Sequence, residues 1–105
     1  MKELIDKIKA LAESQEGLAK EAVLHYQPLV AQYIAENCTD SNKIGYTLDF
    51  MLDFCFDEQM LALYRKLCQH LYSFDHESAI DYVAAYRERW DEEGKRFGNH
   101  VNKQL

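Results

Sequence analysis

Residues 44–56 read IGYTLDFMLDFCF, and no other part of the chain says as much about the fold. Almost every side chain is apolar, and carboxylates recur at every fourth residue, at Asp49, Asp53 and Asp57. Residues four apart lie on one side of an α-helix, so a helical segment would align these aspartates. A helix that is apolar on nearly every other side belongs in the middle of a small protein. The stretch therefore predicts a central helix over residues 43–56.

Upstream of this stretch, apolar residues recur with helical spacing in two segments. The first, residues 2–14, predicts a short helix, with Gly17 as the break after it. The second, residues 18–37, predicts a helix that Pro28 interrupts. A proline inside a helix removes one backbone hydrogen bond and crowds the carbonyl four residues before it, so we expect a kink or a restart of the helix near Gln27.

Downstream, two more amphipathic segments predict helices over residues 58–73 and 76–93, the last ending at Gly94. Asp57 and Asp75 directly precede them and are expected to cap their N-termini. One proline and four glycines among 105 residues suit helices better than a turn-rich sheet protein. The sequence thus predicts an all-α, single-domain antiparallel bundle of four to five helices over residues 1–94, with a flexible tail over residues 95–105.

The net charge of −6 is concentrated in one part of the chain. Residues 36–60 hold six acidic side chains and one basic one, whereas acids and bases are nearly balanced elsewhere. Proteins that bind nucleic acid by neutralising phosphates need basic patches, so direct nucleic-acid binding is not expected. Negative charge favours basic partners, although it also simply aids solubility.

The three cysteines, Cys38, Cys55 and Cys68, show no CxxC pairing, and the last two fall in apolar patterns typical of buried free thiols. The N-terminal segment lacks the apolar run and cleavage site of a secretory signal. No stretch approaches the roughly 18 apolar residues of a membrane span. We therefore expect a cytoplasmic protein that does not enter a membrane.

No group of residues indicates catalysis or a metal site. The four histidines are scattered, and none follows a glutamate by three residues, as dinuclear bundle sites require. Cys38 has no neighbouring base to lower its pKa, and the chain has no GxSxG, HExxH or glycine-rich phosphate loop. We expect a protein that is not an enzyme and binds no cofactor or metal.

Two sets of residues are candidates for binding a protein partner. The first, called the acidic ridge, consists of Asp49, Asp53, Asp57 and Glu58. Like charges four residues apart repel by about 0.2–0.5 kcal/mol per pair, a cost that hints at function. The second, called the aromatic file, consists of Tyr82, Tyr86 and Trp90 at helical spacing. Such side chains suit interfaces. Each set also has a purely structural interpretation: the ridge would be a solvated helix face, and the file would be part of the core.

The favoured function is contact with another protein, as a small regulator, adaptor or inhibitor, with a basic partner favoured by charge and a homodimer as a further expectation. The alternative is a ligand- or metal-binding bundle with an interior pocket. Its lining would be His25, Tyr26, Tyr33 and Tyr64.

Overall fold

The computed structural model describes residues 2–90, apart from the side chains of residues 8 and 10–13. Four α-helices account for most of them: α1 (Lys2–Ala35), α2 (Ser41–Leu52), α3 (Glu58–Tyr72) and α4 (His76–Arg89). The described residues contain no strand, so the predicted all-α bundle of four to five helices is confirmed. The predicted tail over residues 95–105, and Gly94 as the end of the last helix, lie outside the described residues.

Helix α1 is one helix of 34 residues, so the predicted break after Gly17 is wrong. The apolar positions keep their helical phase across Gly17, and a single glycine costs only about 1 kcal/mol relative to alanine. Pro28 lies inside the helix as well, so the helix does not restart near Gln27. Pro28 and Leu24 are both exposed, so water can reach the Leu24 carbonyl that loses its hydrogen bond. Burial of Val30 and Tyr33 beyond the proline holds the helix together.

Aspartate caps start the three shorter helices. The Asp40 carboxylate accepts from the Lys43 amide at the start of α2. Asp57 accepts from the Gln59 and Met60 amides at the start of α3. Asp75 accepts from Ser78 at the start of α4. The predicted caps at Asp57 and Asp75 are therefore confirmed, and each satisfies amides that have no partner within the helix.

Helix α2 ends at Leu52, four residues earlier than predicted. In a longer helix the Leu52 carbonyl would accept from the amide of residue 56. Here it accepts from the Cys55 amide and from the indole of Trp90, the C-cap of α4. The backbone then passes through tight turns to Asp57, where α3 begins. A contact from a distant part of the chain thus accompanies the end of the helix.

The core lies where α1, α2 and α3 meet, with a smaller share from α4. Its fully buried large side chains are Val30, Ile44, Leu48, Met51, Met60, Tyr64, Leu67 and Leu71. Helix α3 packs against all three other helices, whereas α2 packs mainly against α3 and α4. The helix predicted to be central therefore buries one face and exposes the other, where Tyr46 and Phe50 lie. Among the described helices, none combines the length and apolar character that crossing a membrane requires.

Polar contacts join the helices around this core. Tyr33 of α1 shares a buried hydrogen bond of 3.1 Å with Thr47 of α2. The Ser41 hydroxyl donates to Asp75 at 2.6 Å, which links the N-terminal ends of α2 and α4. Every buried side-chain nitrogen or oxygen among the described residues has a hydrogen-bond partner. Full pairing avoids the cost of about 1–3 kcal/mol that each unsatisfied buried group carries.

Candidate functional site

The four residues of the acidic ridge do not share one helix. Asp49 lies within α2, Asp53 is the C-cap of α2, and Asp57 is the N-cap of α3. Glu58 is exposed in the first turn of α3, where a negative charge is favourable at the positive end of the helix dipole. The structure therefore divides the predicted ridge between the C-terminal part of α2 and the start of α3.

Asp49 pairs with the aromatic file. Its carboxylate lies near the Tyr82 hydroxyl. Burial raises the pKa of Tyr82, and the negative charge of Asp49 raises it further. The Tyr82 oxygen would lie 2.7 Å from a Cβ atom placed on Gly45. Gly45 therefore permits the close approach of α4 to α2.

Asp53 pairs with the end of α4 beside the same file. The Arg89 guanidinium donates to the Asp53 carboxylate, and both side chains are about half exposed. Arg89 also lies over the Trp90 ring, 5.0 Å from its centroid. The Trp90 indole donates to the Leu52 carbonyl, and the Phe56 ring packs against the Trp90 ring with 5.7 Å between the ring centroids. Aromatic packing and one ion pair thus join the C-terminal ends of α2 and α4.

The two candidate sets therefore meet each other. We call this contact region the α2–α4 seam, formed by Gly45, Asp49, Leu52, Asp53, Tyr82, Arg89 and Trp90. Asp49 and Asp53 remain exposed to solvent, but each already has a partner within the chain. A partner that used these carboxylates would have to share them with Tyr82 and Arg89.

A second surface lies between α3 and α4, and we call it the α3–α4 groove. Its volume is about 570 Å³. The residues that line it are Leu61, Tyr64, Arg65, Cys68, Gln69, Tyr72, Ala79, Ile80, Val83, Ala84, Tyr86 and Arg87. The floor is apolar and buried at Tyr64, Cys68 and Ala79.

Large apolar side chains on the walls of the groove are open to solvent. Tyr72, Ile80 and Val83 are 51%, 57% and 42% exposed. Exposed apolar side chains that cluster around a concavity are typical of a binding surface, whereas isolated ones are ordinary. In the sequence, Ile80 and Val83 have the helical spacing of core residues, so the pattern alone does not indicate this groove. Only the packing of α4 shows that these two residues remain uncovered.

The groove differs in charge from the molecule as a whole. Its lining includes Arg65 and Arg87 and, among the described residues, no acidic side chain. Both arginines are exposed, and neither forms an ion pair within residues 2–90. In a chain of net charge −6, this apolar groove therefore has a positively charged edge.

The four residues named for an interior pocket lie in different surroundings. Tyr33 is buried and bonded to Thr47, while His25 is exposed and contacts the Tyr26 ring edge-on at 4.8 Å. Tyr64 lines the groove and donates its hydroxyl to the Tyr82 carbonyl at 2.6 Å. Within the described part of the chain, no three His, Cys, Asp or Glu side chains are grouped as metal ligands would be.

The cysteines are unpaired, and two of them are buried as predicted. Burial raises the pKa of Cys55 and that of Cys68 to about 12, so both are neutral thiols at pH 7. Cys38 is half-buried, and its carbonyl lies 2.7 Å from the His70 ring nitrogen. The nucleophilic form of a cysteine is the thiolate, so Cys55 and Cys68 are poorly suited to covalent chemistry.

No protein family, curated protein or solved structure matches the chain.

Proposed function

We propose that the protein acts by binding another protein, and that the α3–α4 groove is the binding site. The occupant we infer is an amphipathic α-helix whose apolar stripe is flanked by acidic residues. One observation carries this proposal: Tyr72, Ile80 and Val83 are exposed along a groove whose charged lining residues are arginines. The role is non-enzymatic, as a regulator, adaptor or inhibitor.

The dimensions of the groove support a helix as the occupant. Helices α3 and α4 contain 15 and 14 residues, which corresponds to a length of about 21–22 Å. A groove of this length suits about four turns of a third helix. Recognition of an amphipathic helix by a groove between two helices is a common mode of binding, and its apolar anchors recur every three to four residues.

The charge at the edge of the groove supports acidic flanks on the occupant. Arg65 lies on α3 and Arg87 on α4, so positive charge comes from both walls. Arginine forms bidentate hydrogen bonds with carboxylates, which fix orientation as well as adding energy. An occupant with lysines at the same places would face like charges.

The acidic ridge supports a basic partner less strongly. Asp49 lies near the Tyr82 hydroxyl and Asp53 is paired with Arg89, so a basic partner would have to compete with these internal contacts. We therefore place the primary site at the groove, which also includes Tyr86 of the aromatic file. Three unpaired cysteines suit a reducing compartment, and we propose that this compartment is the cytoplasm.

The location of the site is tested by NMR with a designed peptide. The probe is a ~15-residue helix, stabilised by a side-chain staple, with a leucine stripe flanked by glutamates. We expect its addition to shift the amide signals of the groove residues, Ile80 and Val83 above all. A Val83→Glu variant should abolish these shifts, because its carboxylate would have to lose its hydration against the leucine stripe and would repel the glutamates of the probe.

Tyr46→Ser is the matched control, since Tyr46 is 71% exposed on α2 and does not line the groove. It should leave the shifts unchanged. Shifts confined to α1 or to the α2–α4 seam, or shifts that survive in Val83→Glu, would contradict the proposed site.

A further inference from the structure

The first half of α1 has an apolar face that no other described residue covers. Leu4, Ile5 and Leu18 are 62%, 51% and 55% exposed. Along the second half of the helix the same side is buried, as at Val23 and Tyr33. With 100° of rotation per residue, these positions fall on one continuous side of α1. The core-facing stripe thus extends beyond the end of the bundle.

The difference in helix length accounts for the uncovered half. Helix α1 has 34 residues and is about 51 Å long, whereas α3, which packs on it, has 15 residues and is about 22 Å long. Burial of the stripe begins at Ala19, which is fully buried. Roughly half of α1 therefore projects beyond α3, with its apolar face open.

The sequence of the projecting half has the spacing of a coiled coil. Leu4, Leu11 and Leu18 are seven residues apart, and Ile8, Gln15 and Ala22 alternate with them at intervals of three and four. Two helices pair through such a heptad stripe. Gln15 is the one polar residue among these six positions, and it weakens pairing relative to an apolar residue.

We propose that a second copy of this chain covers this face, through antiparallel pairing of the first half of α1 with its counterpart. An antiparallel partner runs in the opposite direction along this half, and its N-terminal end reaches the level of Ala22, which is only half-buried. The two bundles then lie at opposite ends of the paired helices.

The charges flanking the stripe favour the same arrangement. A register that sets Leu4 opposite the partner's Ala22 brings Lys7 beside the partner's Glu21, twice by symmetry. Lys7 and Glu21 are both exposed on the single chain. In a parallel pair with the two copies in register, Lys7 would lie beside the partner's Ala12, and Glu21 beside the partner's Tyr26. Neither residue would then face an opposite charge.

Sedimentation velocity over a concentration series tests the pairing. We expect the full chain to form a dimer and Leu18→Glu to raise the dimer dissociation constant roughly a hundredfold, because two charges then enter the stripe. Leu24→Glu is the matched control, since Leu24 is 71% exposed on the opposite side of the same helix. This control should dimerise like the unmodified chain.

A charge exchange tests the orientation. Lys7→Glu alone and Glu21→Lys alone should each raise the dissociation constant about three- to tenfold, and the two together should restore it. Val83→Glu in the α3–α4 groove should leave dimerisation intact, so failure of this inference is distinguishable from failure of the proposed function. A chain that stays monomeric up to ~100 µM would overturn the pairing. Equal weakening by Leu18→Glu and Leu24→Glu, or no rescue in the charge exchange, would overturn it as well.

Discussion

At the level of single residues, Gly45 and Tyr82 provide a double-mutant test of the α2–α4 seam. Alanine at position 45 gains up to about 1 kcal/mol of helix propensity, but its Cβ would lie 2.7 Å from the Tyr82 hydroxyl. We expect Gly45→Ala to show little gain in stability in the unmodified chain, because the Tyr82 hydroxyl must move to make room for the methyl group. In a Tyr82→Phe background the nearest ring carbons lie at 3.4 Å, and the same change should stabilise by up to about 1 kcal/mol.

Chemical denaturation of the four proteins measures this coupling. Equal effects of Gly45→Ala in the two backgrounds would show that Tyr82 does not approach Gly45 as described.

Asp75 should make stability depend on pH. Hydrogen bonds from Ser41, and then from Ser78, hold the pKa of its carboxyl below the ordinary value of 3.8. Since the folded-state pKa is lowered, the carboxylate stabilises the fold above pH 3.8, and this contribution is lost as the pH falls through the folded value. Asp75→Asn should therefore be less stable than the unmodified chain at pH 7, with the difference shrinking in acid.

Unfolding free energies measured between pH 7 and pH 2 check the effect. Ser41→Ala should reproduce part of the same pH dependence, because it removes the first cause of the shift. A stability difference for Asp75→Asn that is constant over this range would contradict the role given to the carboxylate.

Thiol reactivity should separate the three cysteines. The pKa values of about 12 for Cys55 and Cys68 leave almost no thiolate at pH 8, and both residues are buried. A chromogenic disulfide reagent should therefore modify Cys38 first in the folded protein and all three thiols in denaturant. In Cys38→Ser the rapid reaction should disappear. Rapid reaction of that variant would place Cys55 or Cys68 at the surface.

At the level of helices, Gly17 offers the clearest prediction. It lies inside α1 with open space around it, and a methyl group there would contact nothing within 4 Å. Gly17→Ala should raise helicity and stabilise the projecting half by about 0.5–1 kcal/mol. Amide hydrogen exchange measures this effect, and it should be slower for residues 2–18 in the variant than in the unmodified chain. Unchanged exchange would support a break at Gly17, as the sequence alone suggested.

The helix starts could be predicted because their signals are local. Asp57 and Asp75 each precede an amphipathic run and accept hydrogen bonds from amides two or three residues later. The end of α2 could not be predicted in the same way. The Leu52 carbonyl accepts from Trp90, which is 38 residues away, and nothing near Leu52 in the sequence indicates that contact.

At the level of the whole molecule, local sequence patterns identified both the acidic ridge and the aromatic file as candidates. Those patterns did not show that the two sets lie next to each other. The fourfold spacing of the aspartates suggested one ridge, but the turn before Asp57 divides it between α2 and α3. Helical spacing placed Tyr82 and Trp90 on one side of α4 without indicating that α2 lies there. The α3–α4 groove depends on how two helices pack, so its exposed Ile80 and Val83 resembled core residues in the sequence.

The groove and the projecting half of α1 lie on different helices and have different proposed occupants. The groove is proposed to bind an acidic amphipathic helix, and α1 is proposed to pair with a second copy of the chain. A dimer would then present two grooves, one on each bundle, which would strengthen binding to a partner that offers two helices. Each surface has its own variant, Val83→Glu for the groove and Leu18→Glu for α1.

The most direct test of the groove is a charge reversal measured by calorimetry. Two stapled helices share one leucine stripe and differ only in flanking glutamates or lysines. The unmodified chain should bind the glutamate helix about tenfold more tightly, and Arg65→Glu combined with Arg87→Glu should reverse this preference. Equal affinity for both helices, or a preference that the double variant leaves unchanged, would contradict an arginine-edged groove as the protein-binding site.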